Sequence, residues 1–155
     1  MTKICYLLFI GLLFCCTQCE SSETRLDSDN YENSAERVEI LVRAIKTFSP
    51  IKDTEFELFN VNGFNGRSLS IPGASSWDYK FVIKVDTADV YKWCDGMTEV
   101  SASIDSIGWT KDITQHRKAN WQTSGTPRYY ERTGEGVKMI VYYKDGILFK
   151  KVTAN

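Results

Sequence analysis

From Trp77 onward, Tyr79, Phe81, Ile83 and Val85 alternate with Asp78, Lys80, Val82 and Lys84. Side chains on a strand point to opposite faces in turn, so this pattern places five large apolar groups on one side of a sheet that must bury them. The cysteines say how that sheet is held. Cys5, Cys15, Cys16 and Cys19 lie in or beside the first stretch of the chain, which leaves Cys94 alone in the body. One thiol cannot staple a domain to itself, so burial of apolar surface has to stabilise the fold. The composition permits this: 43% of residues are hydrophobic and 25% charged, values of a soluble globular chain rather than a disordered, collagen-like or polytopic membrane one. The net charge of −1 gives no electrostatic footprint for a polyanion, and no nucleic-acid partner is expected.

The remaining elements follow from local signals. Asn33 followed by Ser34, Ala35 and Glu36 reads as a helix start, with Val38, Leu41, Val42, Ile45 and Phe48 on one face and Pro50 as the stop. Residues 54–61 read as a strand carrying Phe56 and Leu58 on one face. Asp86 caps a short second helix containing Val90, Trp93 and Cys94 and closed by Gly96. The last third is a meander of strands at 128–132, 137–143 and 147–152. A two-residue turn at Asp145 and Gly146 would set Tyr143 opposite Leu148, Tyr142 opposite Phe149 and Val141 opposite Lys150. The expected fold is α+β: an antiparallel sheet of about five strands with the N-terminal helix packed on one face and a short second helix. Residues 98–126 read as a long excursion with a short strand at 100–104 and a helical turn near Ile113.

Lys3 precedes an apolar run over residues 4–14, the length of a signal-peptide core and too short for a hydrocarbon layer of roughly 30 Å. Leu13, Phe14, Cys15 and Cys16 follow, and they resemble the lipobox of small uncharacterised bacterial lipoproteins. The resemblance covers the leader alone. It implies cleavage before Cys16, diacylglycerol and palmitate-type acylation of that residue, and attachment to a membrane of the cell envelope, because each buried methylene contributes about 0.8 kcal/mol. Cys19, preceded by Gln18, is the rival position, and a plain signal peptide would make the protein secreted instead. The organisation expected is a signal peptide at 1–15, a polar tether at 16–33 and a single α+β domain at 34–155.

No catalytic constellation stands out. His116 is the one histidine, so a multi-histidine metal site cannot be built from this chain, and no metal or cofactor is expected. Cys94 with His116 would make a nucleophile and base only if the fold brought them together, and Cys94 after Trp93 reads as a small core thiol. Asp78, Asp86, Asp89 and Asp95 are numerous enough for a carboxylate pair, although Asp86 and Asp89 fit helix capping. Gly63, Gly66 and Gly73 are spaced wrongly for a phosphate loop. The connection from Asn62 to Tyr79 reads as a plain β-connection whose Trp77 and Tyr79 enter the core, with an adaptable binding loop as the alternative.

Trp109, Trp121, Tyr129 and Tyr130, in or beside the long excursion, are the candidates for exposed aromatics that stack on a sugar or dock a peptide. The leading expectation is therefore a non-enzymatic, lipid-anchored envelope protein that binds a protein or small ligand. An immunity-type inhibitor of a toxin, and a small hydrolase using Cys94 or His116, are the alternatives.

Overall fold

A computed structural model describes residues 23–64, 76–101 and 108–154. The sheet is antiparallel throughout and has seven strands in the order β1-β2-β3-β7-β6-β5-β4. They are β1 (Arg25–Asp27), β2 (Asp53–Asn60), β3 (Trp77–Lys84), β4 (Thr98–Val100), β5 (Arg128–Arg132), β6 (Gly136–Tyr142) and β7 (Ile147–Ala154). Among the described residues three α-helices accompany them: α1 (Ser34–Ala44), α2 (Val90–Trp93) and α3 (Gly108–Ile113). The α+β class stands, but the sheet is wider than the five strands the sequence suggests. Both extra strands are three-residue edges: β1 gives no pattern of its own, and β4 overlaps the short strand expected at 100–104 only at Val100, residues 102–104 lying outside the described residues.

β1 lies inside the stretch expected to be a free tether. Leu26 is its single apolar side chain, and pairing with Leu58 carries it into the main core. A polar segment with one well-placed leucine is thus built into the sheet from Arg25 onward, and Tyr31 packs behind it. The leader with Cys5, Cys15, Cys16 and Cys19 lies outside the described residues.

One face of the sheet carries the expected alternation. Phe81, Ile83 and Val85 meet Phe56, Leu58, Met139, Val141 and Leu148 there, beneath α1 and α2. Asn33 caps α1 through its side chain, which accepts from the backbone N–H of Ala35. The helix is shorter and turned relative to expectation. It ends at Ala44, Val42 is 44% exposed, and the buried positions are Arg37 and Leu41 with Ile40 and Ala44 alongside.

Arg37 explains the rotation. β1 pairs only with Glu57, Leu58 and Phe59 of β2, so the lower half of β2 is an open edge. The Arg37 guanidinium closes it by donating to the Thr54 carbonyl at 2.9 Å, to the carbonyls of Tyr31 and Glu32, and to Asp53 at 2.8 Å. An unpaired edge carbonyl under a helix would be costly, and an arginine with five donors satisfies several at once.

The hairpin between β6 and β7 also differs from expectation. Tyr142 pairs with Ile147, Val141 with Leu148, Ile140 with Phe149 and Met139 with Lys150, a register displaced by two residues. Four residues form the turn, because Gly146 at φ +66° reaches back to accept the Val85 N–H at 2.9 Å and Asp145 turns outward to Ser124. A displacement of two keeps every side chain on its expected face.

Part of the other face is covered. Val82, Ile140, Ile147 and Phe149 are buried there by Ile113 of α3 and by Trp121, which ends the 3-10 turn Lys118–Trp121. The expected excursion over 98–126 is therefore, across its described residues, a second layer. On the same face, register places Glu57, Lys80, Lys151, Lys138 and Glu131 side by side in one row across five strands. The side chains of that row are partly to largely exposed, so this face has a buried apolar part and a charged part that reaches solvent.

Candidate functional site

The four aromatics singled out from sequence do not form one surface. Trp121 is 6% exposed and Tyr130 7% exposed, each within a core and not presented for stacking. They also face opposite ways. Tyr130 belongs to the cluster under α1 and α2, while its chain neighbour Tyr129 packs with Trp109 and Trp121 on the other side. Consecutive strand residues cannot share a face, which is what separates the two tyrosines. Trp109 meets Phe149 edge-on at 6.1 Å, so its ring is spent on packing. The cavity beside Trp109, Tyr129 and Tyr130 has a volume of about 20 Å³, room for a water molecule but not for a sugar.

Cys94 and His116 are engaged with different partners. The Cys94 thiol lies 3.6 Å from the Val90 carbonyl and 3.3 Å from the Tyr143 hydroxyl, which in turn lies 2.8 Å from the Tyr130 hydroxyl. Burial pushes the thiol's pKa up, so less of it is thiolate at neutral pH. His116 pairs with Asp29 at 2.5 Å on the solvent side of the 3-10 turn Ser28–Asn30. Asp86 accepts from Ala88 N–H and pairs with Lys52 at 3.1 Å, interactions that hold its pKa below the usual carboxylate value. Asp89 pairs with Lys92. Among the described residues no group of three His, Cys, Asp or Glu side chains is arranged to hold a metal ion.

A site not foreseen from sequence opens at the β1-β2-β3 end of the face that α3 partly covers. Arg25, Asp27, Asn30, Glu57, Phe59, Asp78 and Lys80 surround a groove of about 330 Å³. The strands position each of these groups. Phe59 pairs with Arg25 on one side and Asp78 on the other, and Glu57 pairs with Asp27 and Lys80, so two adjacent rows supply both floor and walls.

Most charges in the groove are already matched. The Arg25 guanidinium sits over the Phe59 ring at 5.0 Å, Lys80 pairs with Glu57 at 3.2 Å, and Asp27 accepts from Asp29 N–H at 2.9 Å. Asp78 is the exception, because its Oδ1 is buried without a hydrogen-bond partner among the described residues. Leaving such an acceptor unsatisfied costs about 1–3 kcal/mol, which a ligand donor would recover. Arrangement and charge together suit a ligand that brings a cationic hydrogen-bond donor to Asp78 and lays an apolar portion on Phe59.

Part of this site was visible in the sequence, since Asp78 and Lys80 form the polar side of the clearest alternating strand. Arg25 and Asp27 were hidden inside a stretch that reads as a tether. The loop alternative for the connection after Asn62 falls largely on residues 65–75, which lie outside the described residues, as does Cys16. Tyr79 does enter the edge of the main core. No helix of the described residues is long and apolar enough to cross a membrane. Compared with known proteins, the chain matches no family model, no curated protein and no solved structure.

Proposed function

We propose that this chain is an exported, non-enzymatic binding protein, held on a membrane of the cell envelope by acylation of Cys16, whose groove at Asp78 takes a ligand carrying an ammonium or guanidinium group. The observation that supports the binding site is Asp78, which lines an open groove of about 330 Å³ and whose Oδ1 is buried with no hydrogen-bond partner among the described residues. The address rests on the leader pattern, in which Leu13 and Cys15 precede Cys16 after a short apolar run. A purely binding role is supported by the fact that the thiol and the imidazole, the residues best suited to nucleophilic chemistry, are tied to separate partners.

Arginine amide is a suitable probe, because it offers both cationic donors without presuming the natural ligand. In a titration followed by NMR, the amide signals of Asn30, Phe59, Asp78 and Lys80 should move together and saturate. A hydrogen bond to a charged group contributes about 1.5–3 kcal/mol, so Asp78→Asn should weaken the probe by about tenfold or more. Equal affinity in Asp78→Asn, or shifts scattered over the whole surface, would contradict a site at Asp78.

A further inference from the structure

The chain is fixed to the sheet two residues before β1 begins. The Thr24 carbonyl accepts from the Asn60 N–H at 3.0 Å, and the Glu23 carbonyl accepts from the Phe64 N–H at 3.1 Å. With Cys16 as the anchored residue, a reading on which the source of the ligand below rests, residues 16–22 are all that separate the acyl chains from this point. Seven extended residues span at most about 25 Å. The place where Glu23 joins the sheet therefore lies no farther than that from the lipid headgroups.

A groove of about 180 Å³ opens at this place, between α1 and β1 on the side of the sheet away from Asp78. Leu26, Ile40, Ala44 and Phe64 give it an apolar lining. Ile40 and Ala44 stand four residues apart on α1 and form one strip along the helix. Ile40, Ala44 and Phe64 pack on the main core while remaining only half-buried, and the Phe64 ring lies 5.9 Å from that of Tyr79. Phe64 thus both receives the incoming chain through its backbone and walls the groove with its ring.

Arg43 is the one charged group lining the groove among the described residues. Its partner is Glu39, one turn earlier on α1, and the two side chains are 74% and 62% exposed. Water screens an ion pair so exposed, which leaves the guanidinium free to exchange its carboxylate for another anion. Guanidinium matches phosphate through paired N–H donors, and the apolar strip beside it matches hydrocarbon. A phosphate joined to an acyl chain has both parts in that order.

We propose that this groove binds a phospholipid of the bilayer that holds Cys16, with an acyl chain along Leu26, Ile40, Ala44 and Phe64 and the phosphate on Arg43. The short tether keeps lipid at a high effective concentration beside the groove, so a site of modest affinity is occupied. It shares only Leu26 with the groove at Asp78, and either can fail without the other.

The test places the full acylated chain in phosphatidylglycerol nanodiscs in which part of the lipid carries a nitroxide on its acyl chain, with the intact mass taken on the same sample. The amide signals of Ile40, Ala44 and Phe64 should broaden severalfold more than those of Thr98–Val100, which form the opposite edge of the sheet. Arg43→Glu should remove most of that contrast and Arg43→Lys should keep it, and the exposure of Arg43 lets both variants fold. Broadening no stronger at the groove than at β4, or unchanged in Arg43→Glu, in a sample whose mass shows an acylated Cys16, overturns the site and leaves the anchor standing. An unacylated mass defeats the anchor instead, and the groove is then read with dihexanoyl phosphatidylglycerol below its micelle concentration. Saturable shifts confined to Ile40, Ala44, Phe64 and their neighbours support the site there, and shifts that are absent or spread over the whole surface overturn it.

Discussion

Arg117 and Glu55, sixty-two residues apart, meet at 2.8 Å beside the open edge of β2. Glu55 is 1% exposed and also accepts from the Trp121 indole at 3.3 Å, while Arg37 approaches the same carboxylate at 3.7 Å. Arg117 completes the arrangement by donating to the Tyr31 carbonyl at 2.8 Å. One buried carboxylate thus ties α1, the edge of β2 and the second layer together, and its two guanidinium neighbours share Asp53 and Asp29 as further counter-charges.

Removing the charge of Glu55 while keeping its shape should be severe. Breaking a buried ion pair by deleting one partner costs about 3–5 kcal/mol, because the other charge stays behind without water. Glu55→Gln is expected to fall in that range by urea unfolding, with the second layer loosening first. A loss below about 1 kcal/mol would mean that water reaches the network.

Gly146 should tolerate no side chain. Its φ of +66° disfavours any L-residue, and an added Cβ would sit 2.5 Å from the Val85 carbonyl oxygen. The left-handed conformation alone costs roughly 1–2 kcal/mol, and displacement of backbone adds to it. Thermal unfolding of Gly146→Ala should show a clear drop in Tm, whereas Gly134→Ala, at φ +78° with open space around it, should show only the conformational part.

Asp145 should contribute to acid sensitivity. Its carboxylate accepts from the Ser124 hydroxyl at 2.7 Å, the Ser124 N–H at 3.0 Å and the Gly125 N–H at 3.3 Å, and these bonds lower its pKa. A carboxylate whose pKa is lower in the folded state adds stability above its unfolded value, about 3.9, and loses it as pH falls through the folded value. Denaturation followed from pH 7 to pH 2 should therefore show a shallower acid decline in Asp145→Asn than in the parent, with the difference confined to pH below about 5.

The legible parts of this fold were those with a strong local period or cap. The alternation from Trp77 to Val85 located β3 and its buried face, and Asn33 located the start of α1. What escaped depends on contacts between distant segments. Arg37 reads as the polar side of a helix until the unpaired edge of β2 is in view. Trp109, Ile113 and Trp121 fall on a short helix and a 3-10 turn, where their spacing follows no single period, so a second core layer looked like an exposed loop. The groove was missed for a related reason, since Arg25 and Asp27 gain their positions only by pairing with β2 across thirty residues or more.

A binding domain displayed on acyl chains requires a processed N-terminus, and the intact mass of the protein taken from the membrane fraction reads it directly. The expected mass is that of a chain beginning at Cys16 and carrying diacylglycerol with an N-linked fatty acid, and Cys16→Ala should abolish both the processing and the palmitate label. A mass that retains Met1, or an unmodified N-terminus recovered from the cytosol, would contradict the anchored, exported protein proposed here.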